Sequence, residues 1–155
     1  MRRNDREIVG REEIEEVISR CQVCHLALSS PEGRPYVVAL NFGYAPGNAP
    51  ALYFHCALQG RKLDLLRQNP RCAFVLDRAL GLVAGATACG CSMKYESVMG
   101  SGSIGVVAEA AERRLGLDLI LAHYGHHRPV YDSAVVEKTL VLKLTIEELS
   151  GKRNG

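Results

Sequence analysis

The sequence has 155 residues, of which 47% are hydrophobic and 23% charged, and its formal net charge is +2. This length favours a single domain over residues 1–155, large enough to bury a core without disulfide bonds. The composition excludes a wholly disordered or collagen-like chain, and the charge is unlike that of a dedicated nucleic-acid-binding protein. No export signal follows Arg2 and Arg3 and no apolar run could span a membrane. We therefore expect a cytoplasmic protein that binds neither nucleic acid nor membrane.

Hydrophobic periodicity predicts an α+β, mainly β chain. Residues 11–20 form a predicted helix, because Ile14, Val17 and Ile18 share one face. A second, short helix ends before Pro70, and a third is predicted over residues 109–124 with Leu115, Leu119 and Ala122 on its apolar face. Strands are predicted over residues 23–29, 35–44, 51–56, 71–77, 95–109 and 139–146, with a loop over residues 80–92 and a polar tail over residues 151–155. Six strands with helices around them favour one closed or nearly closed antiparallel sheet.

Two adjacent cations, Arg61 and Lys62, follow a predicted strand and a turn at Gly60, and they begin a helix. The free N–H groups and positive dipole end of a helix attract anions, and arginine binds phosphate through two hydrogen bonds. The pattern therefore predicts a phosphate-binding site, with a pair of solvated cations as an equally supported alternative. His55 ends the preceding strand and is interpreted either as a partly buried, hydrogen-bonded histidine or as a proton donor beside a ligand.

The sequence contains six cysteines, and in the cytoplasm these are normally free thiols. Cys21 and Cys24 with His25 match a haem-attachment pattern, but the strand-like alternation around them disfavours it. Cys89 and Cys91 could join the first pair in a four-thiolate metal site or act alone as a metal or redox sensor. We assign no metal ligands.

Several segments together resemble one known family. These are residues 1–7, residues 34–44, residues 52–57 with Gly60, Arg61 and Lys62, and residues 95–98. In this order they resemble the nitroimidazole-resistance (Nim) family, which belongs to the pyridoxamine 5'-phosphate oxidase-like flavin proteins. The resemblance runs from residue 1 to about residue 151. It implies a six-stranded antiparallel split β-barrel with peripheral helices, which forms a homodimer and binds FMN at the dimer interface.

The resemblance also implies roles for individual residues. Arg61 and Lys62 match the positions that hold the FMN phosphate, and His55 matches an active-site histidine, so it is the candidate catalytic residue. The remaining candidate cofactor-binding residues are Val38, Ala39, Leu40 and Asn41 beside the flavin ring, His55 and Cys56 beside the ribityl chain and phosphate, and Ser97 and Val98 closing the pocket. Ala39 stands where many relatives have proline. Cys56 stands where serine is usual, and a thiol is a weaker hydrogen-bond donor than a hydroxyl.

The function implied by the resemblance is an FMN-dependent oxidoreductase. We expect it to reduce nitro or related electron-poor small molecules, with NADH or NADPH as a transient electron donor. The alternative is a non-catalytic carrier or sensor that holds flavin or haem on the same fold. In that alternative the candidate axial ligands of haem iron are His25, His55, His123, His126 and His127.

Overall fold

The computed structural model describes residues 4–127, 129–132, 134, 136 and 138–155. Residues 1–3, where the family resemblance begins, lie outside this set. The described α-helices are α1 (Arg11–Arg20), α2 (Arg61–Gln68) and α3 (Ala110–His123), with short 3-10 turns at Asn4–Arg6 and Ala88–Gly90. The strands are β1 (Glu7–Ile8), β2 (Cys24–Ser29), β3 (Pro35–Leu40), β4 (Gly43–Ala45), β5 (Ala51–Ala57), β6 (Arg71–Val83), β7 (Ser92–Val106) and β8 (Thr139–Asn154).

The described strands form one antiparallel sheet of eight strands, so the expectation of six strands is wrong. Its order is β3-β2-β6-β7-β8-β5-β4, and β1 pairs with β8. The predicted strand over residues 35–44 is two strands, because Asn41 and Phe42 interrupt it. The Phe42 N–H donates to the Tyr124 hydroxyl at 3.2 Å rather than to another strand. As a result β3 and β4 lie at opposite edges, and hydrogen bonds do not close the sheet into a barrel.

Two predicted strands continue well beyond their expected ends, and β7 lies at Ser92–Val106 rather than over residues 95–109. Strand β6 continues through Val83 into the predicted loop, where it pairs with the start of β7. Strand β8 continues through Asn154, so residues 151–154 belong to the sheet rather than to a polar tail. Both extensions lack a clear hydrophobic alternation. They are strands because their backbone groups form hydrogen bonds with β7, and such bonds do not depend on side-chain polarity.

The sheet curls around one core, and α1 and α2 cover the inner side. Helix α1 has the predicted bounds. The core residues from the two helices are Ile14, Val17, Ile18, Leu63, Leu65 and Leu66, and they pack with Leu26, Phe54, Phe74 and Leu142 of the strands. Fully buried side chains of this size each stabilise the fold by roughly 1.5–3 kcal/mol relative to exposure.

Helix α3 packs on the opposite side of the sheet, over β4, β5 and β8. Ile120 is buried in a small cluster with Tyr53 and Val141. A Cβ atom at Gly116 would lie 2.7 Å from the Tyr53 ring, so this close approach requires glycine. The predicted apolar face of α3 is wrong at one position, because Leu115 is 49% exposed.

The remaining part of this side of the sheet is not covered by a described helix. We call it the outer face, formed by small and apolar residues of four neighbouring strands: Ala27 of β2, Val37 and Ala39 of β3, Ala73 and Val75 of β6, and Met99 of β7. Val37 is 61% exposed and Met99 43%. None of the described helices is long and apolar enough to cross a membrane.

Candidate functional site

The start of α2 is shaped by Gly60. Its φ of 143° lies in a region that side-chain-bearing residues rarely adopt, which lets the chain leave β5 and turn directly into the helix. The Gly60 carbonyl accepts hydrogen bonds from Leu63 N–H at 2.8 Å and Asp64 N–H at 3.3 Å. The first helical residues are therefore Arg61 and Lys62, as the sequence pattern predicted for the two cations.

Arg61 and Lys62 have no carboxylate within 4.0 Å in the part of the chain that the structure describes. Asp64, the acidic residue in the first turn of α2, is 3.4 Å from Arg67 instead. The guanidinium carbon of Arg61 lies 5.3 Å from the ring centroid of Tyr36 on β3. Two cations at the positive end of a helix dipole are mutually unfavourable, so this arrangement favours an anion between them.

Cys56 and His55 project from opposite faces of β5, as expected of neighbouring strand residues. Cys56 is buried in the main core. Burial raises the pKa of its thiol, and the positive charge of Lys62 opposes part of that increase. Cys56 therefore lies on the same side as the start of α2, where it can contact a group held by Lys62 but offers only a weak donor.

His55 is exposed on the side that faces α3. It lines a recess of about 210 Å³ together with Leu117, Ile120, Leu121 and other residues near the start of β8. The recess is mostly apolar, and the titratable side chains that line it are those of His55 and Tyr131. The candidate catalytic residue His55 therefore lies on the opposite face of β5 from Cys56.

The other candidate residues fall into two groups. On β3, Val38 and Leu40 pack against the core, whereas Ala39 and Asn41, the residue after the strand, are exposed. On β7, Val98 is buried, and Ser97 lies across from Asp77 and Lys152. The Arg61–Tyr36 contact brings the start of α2 to β3. Two strands, β2 and β6, lie between β3 and β7 in the order of the sheet.

Two features were not anticipated from the sequence. Tyr36 lies in the segment that carries the resemblance, but its contact with Arg61 depends on a tertiary approach. On the α3 side, the Glu112 carboxylate accepts hydrogen bonds from Lys143 Nζ at 2.6 Å and from the Tyr53 hydroxyl at 3.0 Å. These bonds lower the pKa of Glu112, and the bond to Glu112 raises the pKa of Lys143. No spacing signal links these three residues, because they come from different elements.

The structure separates the two cysteine pairs. Cys21 and Cys24 are fully buried, and burial raises their thiol pKa values to about 11 and about 12. Cys89 and Cys91 are exposed. The four thiols therefore do not form one metal site, and the buried first pair does not present sulfur atoms for haem attachment. Cys72 is buried in the core.

Comparison with known proteins identifies the family. The sequence profile of the family named pyridoxamine 5'-phosphate oxidase matches residues 10–153. The chain belongs to this family. A search of curated protein sequences found no match. The resemblance to a Nim-like member of the family is confirmed by a solved structure, a candidate 5-nitroimidazole antibiotic resistance protein from Bacteroides thetaiotaomicron. It is 30% identical, with a TM-score of 0.81, and the match covers 95% of this chain and 86% of that one.

Two other solved structures share the fold of this family member at lower identity. The flavocytochrome Anf3 from Azotobacter vinelandii is 21% identical with a TM-score of 0.80, covering 100% of this chain and 72% of that chain. The FAD and haem binding protein from Mycobacterium smegmatis is 19% identical with a TM-score of 0.78. The match covers 96% of this chain and 73% of that chain. At these identities the similarity demonstrates the fold alone.

Proposed function

We propose that this family member is an FMN-binding oxidoreductase that reduces nitro or related electron-poor small molecules with NADH or NADPH. The observation that carries the proposal is the pair of cations at the start of α2, which lack a carboxylate partner among the described residues. Two cations and free helix N–H groups suit a phosphate monoester. The names of the relatives, one linked to nitroimidazole resistance and two to flavin or haem, support the same class of chemistry.

The residues of this chain have distinct roles in the proposal. Arg61 and Lys62 bind the phosphate, and Tyr36 holds the Arg61 guanidinium in place through their cation–π contact. The β3 backbone around Val38, Ala39, Leu40 and Asn41 lies beside the flavin ring and orients it. FMN, when bound, supplies the electron-transfer chemistry. His55 holds a proton at its ring for delivery to the reduced substrate.

The proposal includes a homodimer that forms through the outer face. Exposed apolar patches of this kind are typical of protein–protein contacts. The outer face includes Val37 and Ala39, which are next to Val38 and Leu40, so the proposed ring-binding strand would lie at the dimer interface. Ser97 is half-buried on the same face of β7 as Met99 of the outer face, so a second copy could bring its own Ser97 to the pocket, whereas Val98 is buried in the core of its own chain.

The alternative function is a carrier or sensor that holds flavin or haem without turnover. The mostly apolar recess beside His55 is the feature that favours it, because a histidine next to an apolar cavity suits an axial ligand of haem iron. We rank its haem form second because the recess lies on the α3 side of β5, whereas the two cations are on the Cys56 side, so a haem in the recess would not engage them.

The deciding experiment is an absorbance spectrum of the purified protein, followed by FMN titration and assay of nitro-compound reduction with NADH and NADPH. We expect a flavin spectrum or uptake of one FMN per chain, with nicotinamide-dependent reduction. Flavin uptake without turnover would support the carrier function. A Soret band without flavin uptake would indicate haem, and the absence of both chromophores after titration would contradict the proposal.

A further inference from the structure

The hairpin formed by β6 and β7 projects beyond the rest of the sheet. Strand β2 pairs with β6 only as far as Leu76, and β8 pairs with β7 only from Tyr95. Between these points residues 81–83 pair with residues 92–94, and no third strand among the described residues pairs with them. We call residues 81–94 the hairpin tip. Every residue from 81 to 91 is exposed, so a molecule from solution can approach the tip without any rearrangement of the core.

The loop of the hairpin tip is compact. Gly85 and Gly90 approach so closely that a Cβ atom at Gly85 would clash with the Gly90 carbonyl carbon. The Gly90 N–H donates to the Thr87 carbonyl at 3.0 Å, and the Cys91 N–H donates to the Ala88 carbonyl at 3.2 Å. The backbone between Thr87 and Cys91 is therefore held in a turn that displays two cysteine side chains.

Exposure divides the six cysteines into two groups. Cys89 and Cys91 are exposed, whereas the other four are buried in the core: Cys21, Cys24, Cys56 and Cys72. Burial raises the thiol pKa of all four, which suppresses the reactive thiolate form. The Gly85 N–H donates to Cys91 Sγ at 3.5 Å, and the Cys91 thiol donates to the Thr87 carbonyl at 3.6 Å. Thiol chemistry of the folded chain is thus confined to the hairpin tip.

The spacing of the two exposed thiols suits a bond between them. Cα atoms of residues i and i+2 are at most about 7 Å apart, and a turn brings them closer. That separation is compatible with a disulfide, which usually joins Cα atoms about 4.4–6.8 Å apart. A tetrahedral metal site would need two further ligands. Within the described residues no group of three or more His, Cys, Asp or Glu side chains could supply them.

We propose that Cys89 and Cys91 form a thiol–disulfide exchange site for small-molecule disulfides of the glutathione class. One cysteine thiolate attacks the external disulfide, forming a mixed disulfide and releasing one small thiol, which takes up the proton. The second cysteine then attacks the protein sulfur of the mixed disulfide and releases the second small thiol. Overall the protein dithiol is oxidised to an intramolecular disulfide, and one external disulfide is reduced to two thiols. The reaction needs no bound flavin.

The test begins with the reduced wild-type protein and a thiol reagent. We expect two thiols to react on the order of a hundredfold faster than the other four, because burial keeps the latter protonated and inaccessible. After incubation with oxidised glutathione, intact mass should show the loss of two hydrogen atoms and no retained glutathione. Peptide mapping should place the new disulfide between Cys89 and Cys91, a result that requires no variant.

Single variants distinguish a dithiol site from two independent thiols. Cys89→Ser and Cys91→Ser should each retain one glutathione, because the mixed disulfide lacks a resolving partner. Cys72→Ser is the matched control: a hydroxyl can replace the thiol, which donates to the Gly102 carbonyl at 3.6 Å, and the exchange should proceed as in the wild type. A stable glutathione adduct on the wild type, a covalent dimer as the main product, or faster modification of a buried cysteine would each overturn the proposal.

Discussion

The guanidinium carbon of Arg61 lies 5.3 Å from the ring centroid of Tyr36, and this contact joins α2 to the free edge strand β3. Such a cation–π contact stabilises by about 0.5–1 kcal/mol at an exposed site. Its larger consequence is positional, because it holds one phosphate-binding cation next to the strand that we propose lies along the flavin ring.

Replacing either cation at the start of α2 should weaken FMN binding. We expect Arg61→Ala or Lys62→Ala to raise the Kd for FMN about ten- to hundredfold, since each removes a charge-assisted hydrogen bond of about 1.5–3 kcal/mol. Fluorescence titration of FMN measures the change. Arg67→Ala is the matched control on the same helix, and an equal loss in that variant would show that the effect is a general charge effect.

Restoring a hydroxyl at position 56 should strengthen the same site. We expect Cys56→Ser to lower the Kd for FMN by about three- to tenfold, because a neutral hydrogen bond contributes about 0.5–1.5 kcal/mol. Titration should be accompanied by thermal unfolding without FMN, since a buried hydroxyl that lacks a partner destabilises the chain. Unchanged affinity in a normally folded variant would mean that residue 56 does not contact the cofactor.

Removal of the His55 imidazole should separate turnover from cofactor binding. We expect His55→Ala to reduce the turnover number about a hundredfold while FMN stays bound, because general acid catalysis contributes about 10²–10⁴-fold. His126→Ala, an exposed histidine beyond α3, serves as the control. Loss of FMN together with activity would instead make His55 a binding residue.

A charge on the outer face should dissociate the proposed homodimer. Val37 is 61% exposed in the single chain, so Val37→Lys should leave the monomer fold intact. We expect the dimer Kd to rise about a hundredfold, because burying an unpaired charge in an interface costs several kcal/mol. Light scattering measures the mass. Val9→Lys, at a residue that is 87% exposed and outside the outer face, should not affect it. A Val37→Lys dimer of normal affinity would place the interface elsewhere.

The buried carboxylate of Glu96 should contribute to stability. Its Oε1 atom accepts hydrogen bonds from Arg20 at 3.0 Å and Arg153 at 2.9 Å, and the side chain is 8% exposed. We expect Glu96→Gln to lower the free energy of unfolding by about 2 kcal/mol, less than for a fully buried pair because the guanidinium groups reach solvent. Glu147→Gln, which alters the exposed pair with Arg71, should cost less than about 1 kcal/mol. Urea unfolding compares the two variants.

Helix α1, the main strand positions and the placement of Arg61 and Lys62 at a helix start follow from the sequence. In each case the signal is local, because the period of the apolar residues reports which face is buried. The opposite orientation of His55 and Cys56 follows in the same way from the strand period of two. The family resemblance also follows from the sequence, because it rests on short motifs in a fixed order.

Only the tertiary structure decided how the sheet ends and what lies beside the site. The break at Phe42 arises because its N–H bonds to Tyr124, which is 82 residues away, and that break leaves β3 and β4 as separate edges. The contact between Arg61 and Tyr36 and the exposure of the hairpin tip depend likewise on which strands pair. These contacts form between residues that are far apart in the sequence. The local period of the apolar residues therefore cannot predict them.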